Sequence, residues 1–121
     1  MREKKFRGLE ILTGDWVQGS HLKTVTGSEY IVPQNLIGNH LPQYAVDKDT
    51  VGEYTGLEDK NGKQIFEGDI IFIYDDEETE SGWWENVIYH QGAFMAGDDN
   101  LLSNVHFRSK VIGNKYEGAE E

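Results

Sequence analysis

Asp47, Asp49, Gly52 and Glu58 fall at positions one, three, six and twelve of the loop that wraps calcium in an EF-hand. Position five is Val51, which has no side-chain oxygen, and the flanking VGEYTG and LPQYA lack helical periodicity, so the match reads as accidental. A second acidic run, Asp75, Asp76, Glu77, Glu78 and Glu80, has the charge for a divalent cation. Consecutive carboxylates on a loop do not aim at one point without a scaffold, so this run reads as a solvated hairpin loop. The four histidines, His21, His40, His90 and His106, lack HExxH or HxxxH spacing. His90 and His106 could meet across neighbouring strands, but a pair without a third ligand is a weak zinc site, and surface or strand-edge positions are preferred. With no cysteine there is no disulfide, no thiolate metal site and no thiol nucleophile. No metal is expected.

Serine offers no nucleophile either. Ser20, Ser28, Ser81, Ser103 and Ser109 are scattered, and none sits in GxSxG. GxGxxG and GxxxxGK[ST] are both absent, which removes the two glycine-loop modes of nucleotide binding. The sequence therefore predicts a protein that is not an enzyme, with no catalytic residues and no cofactor. The adjacent tryptophans Trp83 and Trp84 are the binding candidates. Successive residues of a strand point to opposite faces, so one of the pair should be buried and the other free for a partner. Packing against a second sub-domain accounts for an outward tryptophan equally well.

The elements that must position these residues are short. Residues 69–74 (DIIFIY) form an apolar run bounded by Gly68 and by acidic residues, which reads as a buried strand. Residues 83–90 alternate Trp84, Asn86 and Ile88 on one side with Trp83, Val87 and Tyr89 on the other. Gln91-Gly92 then turns the chain into Ala93, Phe94 and Met95. LLSN (101–104) suits one helical turn, with Val105, Phe107 and KVIGN as closing strands. In the first half, 5–7, 16–22, 29–32 and 50–55 read as strands, and the polar stretch Pro33–Pro42, with Asn35, Gly38, Asn39 and His40, as a loop. Asn61-Gly62 is the strongest hairpin signal, of the type I′ kind with two positive φ values. Strands at this spacing predict an all-β fold of two sub-domains, 1–62 and 63–121, meeting near Asn61–Gln64.

Length, charge and hydropathy narrow the function. The 121 residues make one ordinary domain or two very small ones, 37% hydrophobic with mean hydropathy -0.62, and no run approaches a membrane span. The charged start MREKKFRG has no apolar stretch behind it and is not a signal peptide. Absent cysteine suits the reducing cytoplasm. The net charge is -11, and it is uneven: residues 1–60 carry seven Lys/Arg against nine Asp/Glu, residues 61–121 four against thirteen. A polyanion is repelled by such a chain, so no nucleic-acid partner is expected, with the cluster Arg2, Lys4, Lys5 and Arg7 as the one basic edge. No membrane partner is expected. The apolar strands around Phe6 and over Ile70–Tyr74 would be edges that need covering, which predicts a homo-oligomer.

The segment VGEYTGLEDKNGKQIFEGDII (Val51–Ile71), with MREKKFRG before it, DWVQG at Asp15–Gly19 and VIGNKYE at Val111–Glu117, resembles the YopX family of phage and prophage proteins in order and spacing. The resemblance spans nearly the whole chain, and 21–49 is its least diagnostic part. Lys115 departs from the apolar residue usual before the tyrosine. It implies an SH3-like barrel in the C-terminal half beside a smaller N-terminal β sub-domain. It also implies a phage-encoded protein working in the bacterial cytoplasm, and it transfers no catalytic residues. Gly52, Gly56, Gly62 and Gly68 read as turn and strand punctuation, Tyr54, Leu57, Ile65 and Phe66 as anchors between the halves, and EGDII as a turn delivering Ile70 and Phe72 to the barrel interior. The expected function is a non-enzymatic accessory or interaction module with a protein partner. The alternatives are an acidic nucleic-acid mimic that blocks a host DNA-binding protein, and a small-molecule binder or enzyme with a site between the sub-domains.

Overall fold

Short runs of β-branched and aromatic residues between turn-formers dictate strands too short to be helices, and strands are what form. The computed structural model describes residues 4–33 and 43–119. Arg2, Asn35, Gly38, Asn39, His40 and Pro42 lie outside the described residues. The strands are β1 (Phe6–Leu9), β2 (Trp16–Lys23), β3 (Glu29–Val32), β4 (Tyr44–Val46), β5 (Gly52–Glu58), β6 (Gln64–Phe66), β7 (Asp69–Asp76), β8 (Ser81–His90), β9 (Ala93–Ala96), β10 (Asn100–Leu101), β11 (Ser109–Asn114) and β12 (Gly118–Ala119). One helical turn, α1 (Leu102–Val105), lies where LLSN suggested it. The all-β expectation holds. The chain forms two compact units, Met1–Tyr54 and Thr55–Glu121, whose boundary falls inside β5.

The first unit is an antiparallel sheet in the order β4-β3-β2-β1-β5. β1 is an interior strand, because Phe6 faces Gly19 of β2 on one side and Glu53 of β5 on the other. β4, three residues long, is tied back to the chain after β1. Val46 bridges Glu10, the Ile11 N–H donates to the Ala45 carbonyl, and the Asp47 N–H donates to the Leu9 carbonyl, both at 2.9 Å. Thr50 then locks this corner. Its Oγ1 accepts from the Leu9 N–H at 2.9 Å and donates to the Asp47 carbonyl at 2.6 Å. Ile31 and Val46 are buried beneath.

In the second unit the end of β5 pairs with β6, and a second sheet runs β10-β9-β8-β7-β11-β12. One face of that sheet is apolar and closed over by α1. Ile71, Ile73, Val87, Phe94, Ala96 and Val111 form a core with Leu102, Val105 and Ile65. Strand parity decides who enters. Ile71 and Ile73 point inward, and Ile70 and Phe72, expected inside, stand half-buried on the opposite face. The sequence run is apolar on both faces, so only α1 and β6 covering one of them selects the register. The strand order is open at both ends among the described residues, where an SH3-like barrel would be closed.

Other local expectations need correction. The hairpin at Asn61-Gly62 exists, but only Gly62 has positive φ, +83°. Gly62 N–H donates to the Asp59 carbonyl and Asp59 N–H to that of Lys63, giving a three-residue loop with glycine in the left-handed position rather than a type I′ turn. The two positive φ values of a type I′ turn occur instead at Gln91 (50°) and Gly92 (83°), between paired His90 and Ala93. Val105 and Phe107 belong to helical turns, leaving Ser109–Asn114 as the closing strand. Neither proposed edge is an edge: β7 lies between β8 and β11 just as β1 lies between β2 and β5. The strands that do end the second sheet, β10 and β12, have two residues each, a length that offers little template for pairing.

Candidate functional site

Trp83 and Trp84 separate as strand geometry requires. Trp83 turns inward and packs on the core of the second unit, with the Arg108 guanidinium 5.7 Å from its ring. Trp84 points outward and is 60% exposed. It stands directly opposite Phe72 of β7, which in turn stands opposite Lys110 of β11. The same face carries half-buried Ile70 and Tyr74 of β7 and Ile88 of β8. Phe72 and Tyr74 meet edge-on with centroids 5.0 Å apart, and the Lys60 ammonium sits 4.6 Å over Tyr74. An outward tryptophan amid aromatic and aliphatic neighbours is the composition of a protein contact patch. Its chemistry is adhesive.

The remaining sequence candidates do not converge. Asp47 caps a short 3₁₀ turn by accepting the Asp49 N–H at 3.0 Å, and Gly52 and Glu58 lie along extended β5, so the calcium-like pattern forms no loop. Asp75–Glu80 make the exposed β7–β8 hairpin turn, where Asp76 accepts the Glu78 N–H and Glu77 approaches Lys60 at 3.4 Å. His21 is held by Glu29 at 2.6 Å, His106 Nδ1 lies 2.8 Å from the Glu58 carbonyl, and His90 is exposed at the end of β8. Among the described residues no group of three or more His, Asp or Glu is placed to hold a metal ion. In the basic cluster, Lys5 lies 5.0 Å over Tyr54 and Arg7 4.6 Å over Trp16, so both cations are engaged by rings.

One feature escaped sequence reasoning. The first unit carries an open groove of about 760 Å³ between the turn after β1 and the turn joining β2 to β3. Leu9, Tyr30, Ala45 and Val46 line it together with Glu10, Glu29, Asp47 and Lys48. The bridge between Glu10 and Val46 creates it, and no local pattern announces a contact so distant along the chain.

The YopX family model, described as YopX protein, matches residues 5–120. The chain belongs to the YopX family. Among solved structures, the crystal structure of protein EF1440 from Enterococcus faecalis is similar at 23% identity, covering 94% of each chain with a TM-score of 0.58, which is a likeness of fold. No curated protein matched the chain. In this YopX chain three polar residues of the segment that carries the resemblance, Thr55, Asp59 and Asp69, are buried. Asp59, 6% exposed, accepts from the Asn61 and Lys63 N–H groups through Oδ1 and from Val111 N–H through Oδ2, at 2.8, 2.9 and 2.9 Å. Asp69, 1% exposed, accepts from Phe66 N–H at 2.7 Å across the Glu67-Gly68 turn. Thr55 Oγ1 donates to the Ile65 carbonyl at 2.7 Å. Thr55, Asp59 and Asp69 of the YopX signature therefore satisfy backbone groups of turns and strands.

Proposed function

We propose that this YopX-family chain is a non-enzymatic protein-interaction module, phage-encoded and working in the bacterial cytoplasm, which docks a protein partner on the outer face of β7 and β8. The supporting observation is Trp84, 60% exposed and flanked by Phe72, Ile70, Tyr74 and Ile88 on one sheet face. Large aromatics at the centre of a patch supply most of the energy of a contact once a partner excludes water around them. The hairpin leading off this face carries five exposed carboxylates between Asp75 and Glu80, which suits a partner with a basic margin. The short edges of the second sheet favour docking on its face over strand addition.

A photo-crosslinking residue placed at position 84 tests the reading in the bacterial host, against the same residue at exposed Asn104 on α1. A discrete crosslinked protein specific to position 84, and lost when Phe72→Ala is added, is the expected result. Equal labelling from both positions, or a product indifferent to Phe72→Ala, would overturn it.

A further inference from the structure

We infer that the Trp84 face takes a proline-rich segment in the polyproline II conformation, with an arginine or lysine three residues from the proline that stacks on Trp84. The inference rests on the reading of that face as a protein-docking surface and names the chemistry of its partner. Hydrogen-bonding capacity narrows the occupant first. β7 lies between β8 and β11, and β8 between β7 and β9, so their backbone groups pair within the sheet. The face offers side chains, and those exposed on it bring donors: the Trp84 indole N–H, the Lys110 ammonium and the Asn86 amide. A polyproline II segment complements that set. Its prolines carry no N–H to strand on an apolar surface, and its carbonyls, unused within the segment, can accept. An α-helix uses its carbonyls internally, and an extended strand brings N–H groups with few acceptors to meet them.

Shape and charge narrow it further. Two residues before Trp84 on the same face of β8 is Gly82, which has no side chain. The Phe72 ring lies where one would stand, its Cε1 2.9 Å from the position of an added Cβ. Phe72 in turn meets Tyr74 edge-on, with centroids 5.0 Å apart. An aromatic lane therefore runs from the exposed Trp84 indole towards the β7–β8 hairpin. A pyrrolidine ring is rigid and apolar, and stacks on such an indole in a segment that is already extended before it binds, so little conformational freedom is lost. At the far end of the lane stand the exposed carboxylates of Asp75, Asp76, Glu77, Glu78 and Glu80. From Trp84 to Ser81, where the hairpin turn meets β8, is a rise of about 10 Å along the strand. Polyproline II repeats every three residues with a rise of about 3.1 Å each, so the residue three along from the stacked proline returns to the same side roughly 9 Å away. A basic side chain at that position meets the hairpin carboxylates.

The test titrates the full isotope-labelled chain with three end-capped peptides of equal charge. The first is a run of prolines with an arginine at each end, the second has glycine and serine between the same arginines, and the third is an amphipathic leucine–alanine helix bearing two arginines. The proline peptide should shift the Trp84 indole N–H and the backbone amides of 70–74 and 82–88, and bind about tenfold more tightly than the other two. Trp84→Ala should abolish its binding, with the rest of the spectrum confirming an intact fold. Glu78→Gln combined with Glu80→Gln should weaken it about threefold, as expected of exposed charge pairs. Equal binding of the glycine–serine peptide would overturn the inference, since charge alone would then account for the contact. The helix binding as tightly at the same amides would overturn the choice of polyproline II and leave the docking face standing. No shift around Trp84 at millimolar proline peptide would also overturn the inference. The crosslink from position 84 then judges the docking reading by itself: a specific product keeps that reading, and its absence ends both.

Discussion

Removing the Asp59 carboxylate should cost more than removing any other side chain of the acidic complement described here. One carboxylate closes the β5–β6 turn through the Asn61 and Lys63 N–H groups and pins that turn to β11 through Val111 N–H. In Asp59→Ala these three donors lose their acceptor. The bond to Val111 is buried and its donor is cut off from water, which costs roughly 2 kcal/mol. The turn donors are part-buried, and each costs about 1 kcal/mol, so the loss is about 4 kcal/mol. A domain of this size has only about 5–15 kcal/mol to lose. Asp59→Asn separates the contributions. Its amide oxygen can serve the turn, but its NH₂ then meets the Val111 N–H donor to donor, so the cost is roughly 2 kcal/mol. Urea unfolding followed by tryptophan fluorescence, with Trp83 packed on the same core, measures both, with Asp75→Asn as an exposed control that leaves the midpoint unmoved. Asp59→Ala within about 1 kcal/mol of the parent, or Asp59→Asn equal to Asp59→Ala, would refute the reasoning that this carboxylate is a three-way backbone acceptor.

Ile71→Ala should destabilise by about 3 kcal/mol through the cavity it leaves, and Trp84→Ala by less than about 1 kcal/mol, as equilibrium unfolding will show; the reverse order would mean that the two faces of the second sheet are misassigned. Gly82→Ala should lower the melting temperature sharply or prevent folding, because an added Cβ would stand 2.0 Å from the Ile73 carbonyl oxygen, whereas Ser81→Ala beside it should be silent by circular dichroism melting. Thr50→Val should cost about 1–2 kcal/mol in urea, since the Leu9 N–H loses its acceptor while the volume is kept.

The sequence by itself determined what is local. Val32 ending a β-branched run, the Gln91-Gly92 turn and the alternation through Trp83–Trp84 each follow from pairwise residue preferences, and each strand or turn stands where those preferences put it. The family, too, was legible from residues 51–71 and their companions, because turn chemistry is written in short, ordered motifs. What the tertiary structure alone decided is which face of a two-sided apolar strand is inside. Ile70–Tyr74 offers equally good faces, and the choice of Ile71 and Ile73 is made by α1 and by Ile65 arriving from elsewhere in the chain. The same distance explains the interior placement of β1 and β7, whose neighbours β5 and β11 are remote in sequence. It also explains the groove, which exists because Val46 bridges Glu10. Asp59 gave a turn signal through Asn61-Gly62, but its hold on Val111, fifty-two residues away, did not show. Local preference fixes the backbone at one residue for about 1 kcal/mol, whereas covering one face of a strand is worth about 1.5–3 kcal/mol for each large side chain buried. Register, edges and sites are therefore settled by whichever distant segment arrives to cover a face.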